Sequence, residues 1–167
     1  MIITGFMATG KTEVGRRLAR SLGRPFVDTD GLVEASAGRT VPDIFAAEGE
    51  ARFREMERAA VIQACGVPDA VIATGGGTLL DPENRRRLAA AGPIVCLSAT
   101  PDEILRRVGD PVSRPLLANG RNGTLARVRA LLEERAPTYA LATHAVDTSG
   151  LTVDQVVERV RALVGTR

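Results

Sequence analysis

Residues 5–12, near the start of the chain, have the types and spacing of a phosphate-binding loop. They read Gly-Phe-Met-Ala-Thr-Gly-Lys-Thr and satisfy the pattern G-x-x-x-x-G-K-[ST] directly after an apolar run. Gly5 and Gly10 permit backbone turns that are closed to other residues, so successive amides can face one anion. The start of the following helix adds unpaired amides and the positive end of its dipole. The loop therefore predicts nucleotide binding; a plain glycine-rich turn is the alternative.

Two side chains of this loop could act directly on phosphates. The chain contains 21 arginines and a single lysine, and that lysine is Lys11. A compact, mobile ammonium can follow charge as it moves between phosphates, which a planar guanidinium does less well. Thr12 offers a hydroxyl to magnesium, which prefers oxygen ligands and bridges phosphate oxygens. We therefore expect a nucleotide together with Mg²⁺.

Two carboxylates follow the second predicted strand, at the edge of a parallel sheet where α/β proteins bind ligands. Asp28 and Asp30 are separated by Thr29, and the alternation of an extended chain points both the same way. One carboxylate could face the magnesium and its waters, and the other could face the hydroxyl of a phosphoryl acceptor. The alternative is a turn in which an aspartate caps a helix.

Three arginines and a glycine run are further candidates. Arg54 and Glu57 share one face of a predicted helix, which is also the arrangement of an ordinary ion pair. Gly75–Gly77 follows a strand and permits close approach of backbone to a ligand. Arg114 lies in the segment with least periodicity, and Arg135 lies near the end of a predicted helix, just before Pro137, which is expected to start another. Taken singly, each arginine could equally be a surface residue.

Short apolar runs alternate with amphipathic segments, as in an α/β protein with a parallel sheet. The predicted strands are Ile2 to Thr4, Pro25 to Asp28, Ala70 to Thr74, Ile94 to Ser98 and His144 to Thr148. The predicted helices are Lys11 to Leu22, Val41 to Cys65 with a break at Gly49, Pro82 to Ala91, Pro101 to Val108, Leu125 to Arg135 and Val153 to Val164. Residues 1–167 are expected to form one domain.

The composition excludes several classes of protein. Of the 167 residues, 44% are hydrophobic and 25% charged, which argues against disorder. No apolar run is long enough to cross a membrane, and no secretory signal is visible, so we expect a cytoplasmic protein. The net charge of +2 and the 3% aromatic content argue against a nucleic-acid partner. Cys65 and Cys96 are expected to be buried free thiols, and nothing in the sequence calls for more than a monomer.

Together these motifs resemble the shikimate kinase family of small P-loop kinases, along nearly the whole chain. The matching segments, in order, are Gly5 to Thr12, Asp28 to Asp30, Asp43 to Phe45, Phe53–Arg54 with Glu57, Gly75 to Gly77, Arg114 to Leu117, and Arg135 to Pro137 with Tyr139. The resemblance implies a single-domain P-loop kinase fold with a five-stranded parallel sheet, an acceptor-binding helical insert near 31–61 and a lid near 109–123. It also implies transfer of the terminal phosphoryl of ATP to the 3-hydroxyl of shikimate.

The resemblance implies roles for the acceptor-side residues. Asp30 would bind the acceptor hydroxyls and take the proton, and Asp28 would act through the magnesium shell. Arg54 and Arg135 would hold the substrate carboxylate, for which guanidinium groups are well suited. The backbone of the Gly75–Gly77 run would contact a substrate hydroxyl, mainly at Gly76, and Glu57 would orient Arg54.

The resemblance also implies roles on the nucleotide side. Lys11 and Arg114 would be catalytic, because both would stabilise charge on the transferred group. Closure of the lid that carries Arg114 would exclude water. Thr12 and Asp28 would serve the magnesium ion, and Arg107 resembles the adenine-stacking position. The nucleotide would contact Ala8, Thr9, Gly10, Lys11, Thr12, Glu13, Arg107 and Arg114.

Three positions depart from the family pattern. Ala8 stands where many members have glycine, and its small side chain should be tolerated. Thr78 stands where alanine is common and would change the pocket wall. Residues 148–151 lack an arginine that some members offer to the nucleotide, so adenine contacts there would come from backbone. Two other functions stay open: a gluconate-type or nucleoside-monophosphate kinase, and an ATP-binding regulatory module that transfers nothing.

Overall fold

Five parallel strands form one sheet in the order β2-β3-β1-β4-β5. The computed structural model describes residues 1–108 and 121–165. The strands are β1 Ile2–Gly5, β2 Phe26–Asp28, β3 Val71–Ala73, β4 Ile94–Ser98 and β5 His144–Asp147. Strand β1 is central and lies between β3 and β4, which both come later in the chain. The strand order therefore switches direction at β1, and the loop after β1 opens at the point where ligands bind in such sheets.

Helices cover both faces of the sheet. Their bounds are α1 Lys11–Leu22, α2 Thr29–Ala37, α3 Val41–Cys65, α4 Pro82–Ala91, α5 Pro101–Val108, α6 Arg121–Tyr139 and α7 Val153–Val164, with a short 3-10 helix at Thr78–Leu80. Successive residues of β1 point to opposite faces. Ile3 packs in a core with α1 and α7, and Ile2 packs in a second core with α3 and α4.

Helices α2 and α3 share a small core of their own. Val33 of α2 and Ile44, Phe53 and Ala60 of α3 are buried together. Helix α3 is interrupted at Gly49, where φ is 78° and ψ is 177°, a backbone conformation almost confined to glycine. The interruption allows the two parts of α3 to line one cavity from two directions, since Val41 and Phe45 precede it and Arg54 and Glu57 follow it.

Most of the predicted elements are confirmed, including the five strands and the break at Gly49. Pro137 was wrongly expected to start a new helix: it lies inside α6, whose last turn it occupies, so the missing N–H costs one hydrogen bond near the helix end. The bounds predicted for that helix, Leu125 to Arg135, were therefore too short. No helix bounds were predicted for Thr29–Ala37, where Gly31 and two serine or threonine residues weaken the pattern.

Within the described residues, no helix is long and apolar enough to span a bilayer.

The cysteine prediction is confirmed in part. Both cysteines are free thiols, but only Cys96 is buried, while Cys65 is partly exposed at the end of α3. Burial raises the pKa of the Cys96 thiol to about 11, which makes it a poor nucleophile at neutral pH.

Gly49→Ala tests whether the break in α3 depends on glycine. We expect a loss of about 1–3 kcal/mol in the free energy of unfolding, because a Cβ is strained at this φ and ψ even though the space around it is open. The matched control is Gly31→Ala inside α2, where a Cβ makes ordinary contact with Asp28 and removal of glycine from a helix should be neutral or stabilising. Urea denaturation measures both; equal changes in the two variants would contradict the prediction.

Candidate active site

The loop after β1 takes the shape that its glycines permit. Gly5 has φ +134°, and a Cβ placed on it would lie 2.0 Å from the carbonyl oxygen of Leu97 in β4, so no larger residue fits. Thr9 Oγ1 and Lys11 Nζ each donate to the carbonyl oxygen of Phe6 at 2.8 Å. The lysine ammonium therefore lies across the loop, within reach of an anion bound at the start of α1.

Ala8 adopts a left-handed conformation with φ 60°. For a residue with a Cβ this conformation costs about 1–2 kcal/mol. Alanine at this position is therefore accommodated with backbone strain in the centre of the loop.

Asp28 and Thr12, the two residues expected to serve a magnesium ion, lie in contact beside the phosphate loop. Thr12 Oγ1 donates to Asp28 Oδ2 at 2.7 Å, and Asp28 Oδ1 accepts from the backbone amide of Asp30 at 3.1 Å. Asp28 thus caps α2 with one oxygen and faces the phosphate loop with the other, which combines the two interpretations that its sequence position allowed. A hydroxyl and a carboxylate suit Mg²⁺, which commonly takes one or two protein oxygens and completes its shell with waters and phosphates. The described residues contain no cluster of three or more side chains suited to a protein-enclosed metal.

Asp30 has a buried carboxyl with a raised pKa. Burial raises its pKa to about 6, the charge of Asp28 adds to the shift, and Lys11 opposes it. Asp30 Oδ1 is buried and has no hydrogen-bond partner. A buried carboxylate oxygen without a donor is costly, so this atom is a candidate for contact with a ligand hydroxyl.

Arg54 and Glu57 form the pair that their spacing predicts. Arg54 Nη1 donates to Glu57 Oε2 at 2.8 Å, and its Nη2 donates to Glu50 Oε1 at 2.8 Å. The Glu57 side chain is 1% exposed and that of Arg54 is 21% exposed. The buried carboxylate therefore fixes a guanidinium that still reaches the cavity.

Arg135 approaches the same cavity from α6. Its residue exposure is 3%, its guanidinium lies 5.6 Å from the ring centroid of Phe6, and its Nε has no hydrogen-bond partner. Next to it, the Tyr139 hydroxyl donates to the carbonyl oxygen of Gly76 at 2.6 Å. Burial raises the pKa of Tyr139 to about 12, against the opposing charge of Arg135, so this hydroxyl remains a donor.

The glycine run after β3 lies between these groups. A Cβ on Gly75 would lie 2.8 Å from Asp30 Oδ1, and one on Gly77 would lie 2.7 Å from Arg54 Nη2. A Cβ on Gly76 would lie 3.3 Å from the carbonyl oxygen of Gly5 and 3.5 Å from Arg135 Nη1. The cavity around the run is lined by Met7, Asp30, Val41, Phe45, Phe53, Arg54, Glu57, Gly75, Gly76, Gly77 and Arg135.

Two of the residues predicted to bind the nucleotide have other contacts in this structure. Arg107 Nη1 donates to Thr148 Oγ1 and its Nη2 to the Thr148 carbonyl oxygen, both at 2.8 Å, and Nη1 lies 3.5 Å from the carbonyl oxygen of Ala8. It thus lies beside the phosphate loop and the segment after β5. Glu13, in the first turn of α1, pairs with Arg17 at 2.8 Å on the exposed side of that helix.

The structure brings Asp28, Asp30, Arg54, Arg135 and the glycine run to one edge of the sheet. Arg114 and residues 109–120 of the predicted lid lie outside the described residues, while residues 121–123 begin α6.

Sequence reasoning missed the contacts that three residues make around the cavity. Glu50 pairs with Arg54 at a helical spacing that the break at Gly49 obscured. Tyr139 was noted in a motif without a role. Thr78, expected in the pocket wall, is instead fully buried behind the glycine run, and only the three-dimensional structure shows its partner.

Comparison with known proteins agrees with the geometry. The sequence model of the shikimate kinase family matches residues 7–164. A shikimate kinase of Thermoanaerobacter pseudethanolicus is 44% identical over 160 residues, which cover 96% of this chain and 92% of that protein. A solved shikimate kinase from Acinetobacter baumannii, in complex with shikimate, superposes with a TM-score of 0.92 at 32% identity and covers 99% of this chain and 93% of that one. A gluconokinase from Sinorhizobium meliloti, at 19% identity and a TM-score of 0.61 over 98% of this chain and 90% of that one, shares the fold.

Asp30→Asn tests the burial of an unsatisfied charge. The native pKa of about 6 lies above the ordinary value of 3.8, so the native state binds more protons than the unfolded state between these values. The wild-type protein should therefore lose stability as pH rises through 6, and the neutral variant should be more stable at pH 8 by up to about 3 kcal/mol.

The difference between the two proteins should disappear near pH 4. Urea denaturation of both at pH 4 and pH 8 measures it. A difference that does not change between the two pH values would contradict the shifted pKa.

Proposed function

Since the chain belongs to the shikimate kinase family, we propose that it transfers the terminal phosphoryl group of ATP to the 3-hydroxyl of shikimate, and that the residues of the cavity described above bind the acceptor. The main support for the site assignment is a pair of buried atoms without hydrogen-bond partners, Asp30 Oδ1 and Arg135 Nε. The two residues line the same cavity. One is an acceptor for a hydroxyl, and the other is a donor for a carboxylate. Shikimate carries both groups.

Arg54 and Arg135 hold the substrate carboxylate in this proposal. Both line the cavity, so a carboxylate between their guanidinium groups gains charge-assisted hydrogen bonds in a largely desolvated site. Arg54 already forms ion pairs with Glu50 and Glu57, but part of its guanidinium remains exposed to the cavity. The apolar side chains of Val41, Phe45 and Phe53 cover the ring of the substrate.

Asp30 accepts the proton of the attacking hydroxyl. The hydroxyl oxygen forms a bond to the terminal phosphorus, the bond from that phosphorus to the bridging oxygen breaks, ADP leaves with the electron pair, and the proton passes to Asp30 Oδ1. A native pKa of about 6 suits this role, since the group is ionised at neutral pH and is a stronger base than an ordinary aspartate.

The phosphate loop holds ATP by its backbone amides and by Lys11, whose ammonium lies across the loop. Thr12 and Asp28 would hold the magnesium ion, directly or through its waters, and the ion would supply positive charge that offsets the charge of the phosphates. From the family resemblance we also assign nucleotide contacts to Ala8, Thr9, Gly10, Glu13 and Arg107, and transition-state stabilisation to Arg114 on the lid.

The balanced charge, +2 at pH 7, supports a small-molecule enzyme without a nucleic-acid partner. We propose that it works as a monomer in the cytoplasm. A gluconate-type kinase is the competing assignment, and its support is a shared fold, which does not determine the acceptor.

A coupled assay of ADP release tests the function. With ATP and magnesium, shikimate should stimulate ADP release, while gluconate and a nucleoside monophosphate should not. Stimulation by gluconate alone, from protein shown to bind ATP, would replace the acceptor assignment and leave the nucleotide site intact.

Arg135→Lys tests the carboxylate site. We expect the KM for shikimate to rise at least tenfold with little change in the KM for ATP, because an ammonium cannot reproduce a guanidinium donor fixed by burial. Arg86→Lys is the matched control, since Arg86 is an exposed partner of Glu83 on α4 and should leave both constants unchanged. Steady-state kinetics with each substrate varied will decide; a rise in the ATP constant alone would contradict the assignment.

Asp30→Asn also tests the proton acceptor. The variant should keep the wild-type affinity for ATP, measured by calorimetry, and lose at least a hundredfold in kcat, because the amide cannot take the proton. In the wild type, kcat/KM for shikimate should fall as pH drops below about 6, where Asp30 becomes protonated. Retention of turnover by the variant would exclude Asp30 as the base.

A further inference from the structure

The hydroxyl of Thr78 makes a buried contact with the carboxylate that holds Arg54. Thr78 Oγ1 donates to Glu57 Oε1 at 2.7 Å and lies 3.0 Å from the carbonyl oxygen of Gly75. Thr78 is 0% exposed and Glu57 is 1% exposed. A threonine hydroxyl has one proton, and the shorter contact with a charged acceptor is the stronger of the two.

Glu57 depends on donors at both oxygens. Its Oε2 accepts from Arg54 Nη1 at 2.8 Å, and its Oε1 accepts from Thr78. A carboxylate at this depth is costly unless both oxygens are satisfied. The two donors therefore fix the plane of the carboxylate, and with it the direction in which the Arg54 guanidinium extends.

The carboxylate of Asp30, next to that of Glu57, makes the contact between Thr78 and Glu57 more important. A Cβ on Gly75 would lie 2.8 Å from Asp30 Oδ1 and 2.9 Å from Glu57 Oε1, so the two oxygens lie against the same glycine. The two oxygens differ in their hydrogen bonds. Glu57 Oε1 accepts from Thr78, whereas Asp30 Oδ1 has no donor. The Thr78 hydroxyl therefore helps to hold Glu57 beside Arg54, while the Asp30 oxygen stays available to the acceptor.

The backbone around Thr78 does not require the hydroxyl. The Gly75 carbonyl oxygen already accepts from the Thr78 amide at 3.3 Å, which closes the turn. The following 3-10 helix is held by the amide of Leu80, which donates to Gly77. A valine at this position would keep the shape of the side chain and the turn, and would remove only the donor.

We propose that Thr78 is a positioning residue for the substrate carboxylate: its hydroxyl orients Glu57, and Glu57 orients Arg54 toward the cavity. The inference rests on the proposed shikimate site. Without the hydroxyl, Glu57 Oε1 loses its donor, and the carboxylate is expected to turn so that both oxygens engage Arg54. The guanidinium is then drawn toward α3 and away from the substrate.

Thr78→Val removes the donor and keeps the volume. We expect the KM for shikimate to rise about tenfold, as for loss of a hydrogen bond to a charged group, with kcat reduced much less and the KM for ATP unchanged. Thr78→Ser retains the hydroxyl and should restore the KM for shikimate to within about twofold of the wild type. Thr78→Ala provides a second variant without the donor if valine prevents folding, and its constants should match those of Thr78→Val.

The dependence on Arg54 separates a positioning role from a structural one. Thr78→Val added to Arg54→Ala should cause no further rise in the KM for shikimate, because the residue through which it acts is already absent. Ser21→Ala, which removes a hydroxyl that bonds within α1, is the control and should leave all constants unchanged.

An unchanged KM for shikimate in Thr78→Val and Thr78→Ala, in an enzyme whose wild type is stimulated by shikimate, would overturn this inference alone. An equal rise in the Arg54→Ala background, or failure of serine to restore binding, would overturn it as well. A wild type that shikimate does not stimulate would overturn the proposed function together with it.

Discussion

The absence of side chains on Gly75–Gly77 is the constraint on which the proposed acceptor site depends. Charged groups from three helices meet around these three residues: Asp30 from α2, Glu57 and Arg54 from α3, and Arg135 from α6. A Cβ at Gly75 would overlap Asp30 and Glu57, and one at Gly77 would overlap Arg54. The glycine run thus provides the space in which two carboxylates and two guanidinium groups can surround one small molecule.

The two carboxylates beside Gly75 have different environments and therefore different chemistry. Glu57 has a donor at each oxygen and remains bound to the protein, whereas Asp30 has a buried oxygen without a donor and a pKa raised to about 6 by burial. In the proposed mechanism, this difference in environment makes Glu57 the orienting group and Asp30 the base. The unsatisfied charge of Asp30 reduces stability at neutral pH, which is the usual cost of a reactive group held ready for a ligand.

The sequence was most informative where local pattern and chemistry coincide. The loop 5–12 could be identified from residue types alone, because glycine, lysine and threonine at this spacing have few other uses. The strands followed from apolar runs, and Arg54 with Glu57 followed from helical spacing. Pro137 was misinterpreted because its cost depends on how near the helix end it lies, which the local sequence does not specify. The contacts of Thr78 and Tyr139 with Glu57 and Gly76 were not predictable, because they join residues 21 and 63 positions apart.

We propose that Asp30 Oδ1 and Arg135 Nε lack partners within the protein because the acceptor supplies them. A crystal structure of this protein with shikimate and ADP tests it most directly. We expect a shikimate hydroxyl within hydrogen-bond distance of Asp30 Oδ1, and the shikimate carboxylate between Arg54 and Arg135. Shikimate bound elsewhere, or bound in this cavity with both atoms still unpartnered, would contradict it.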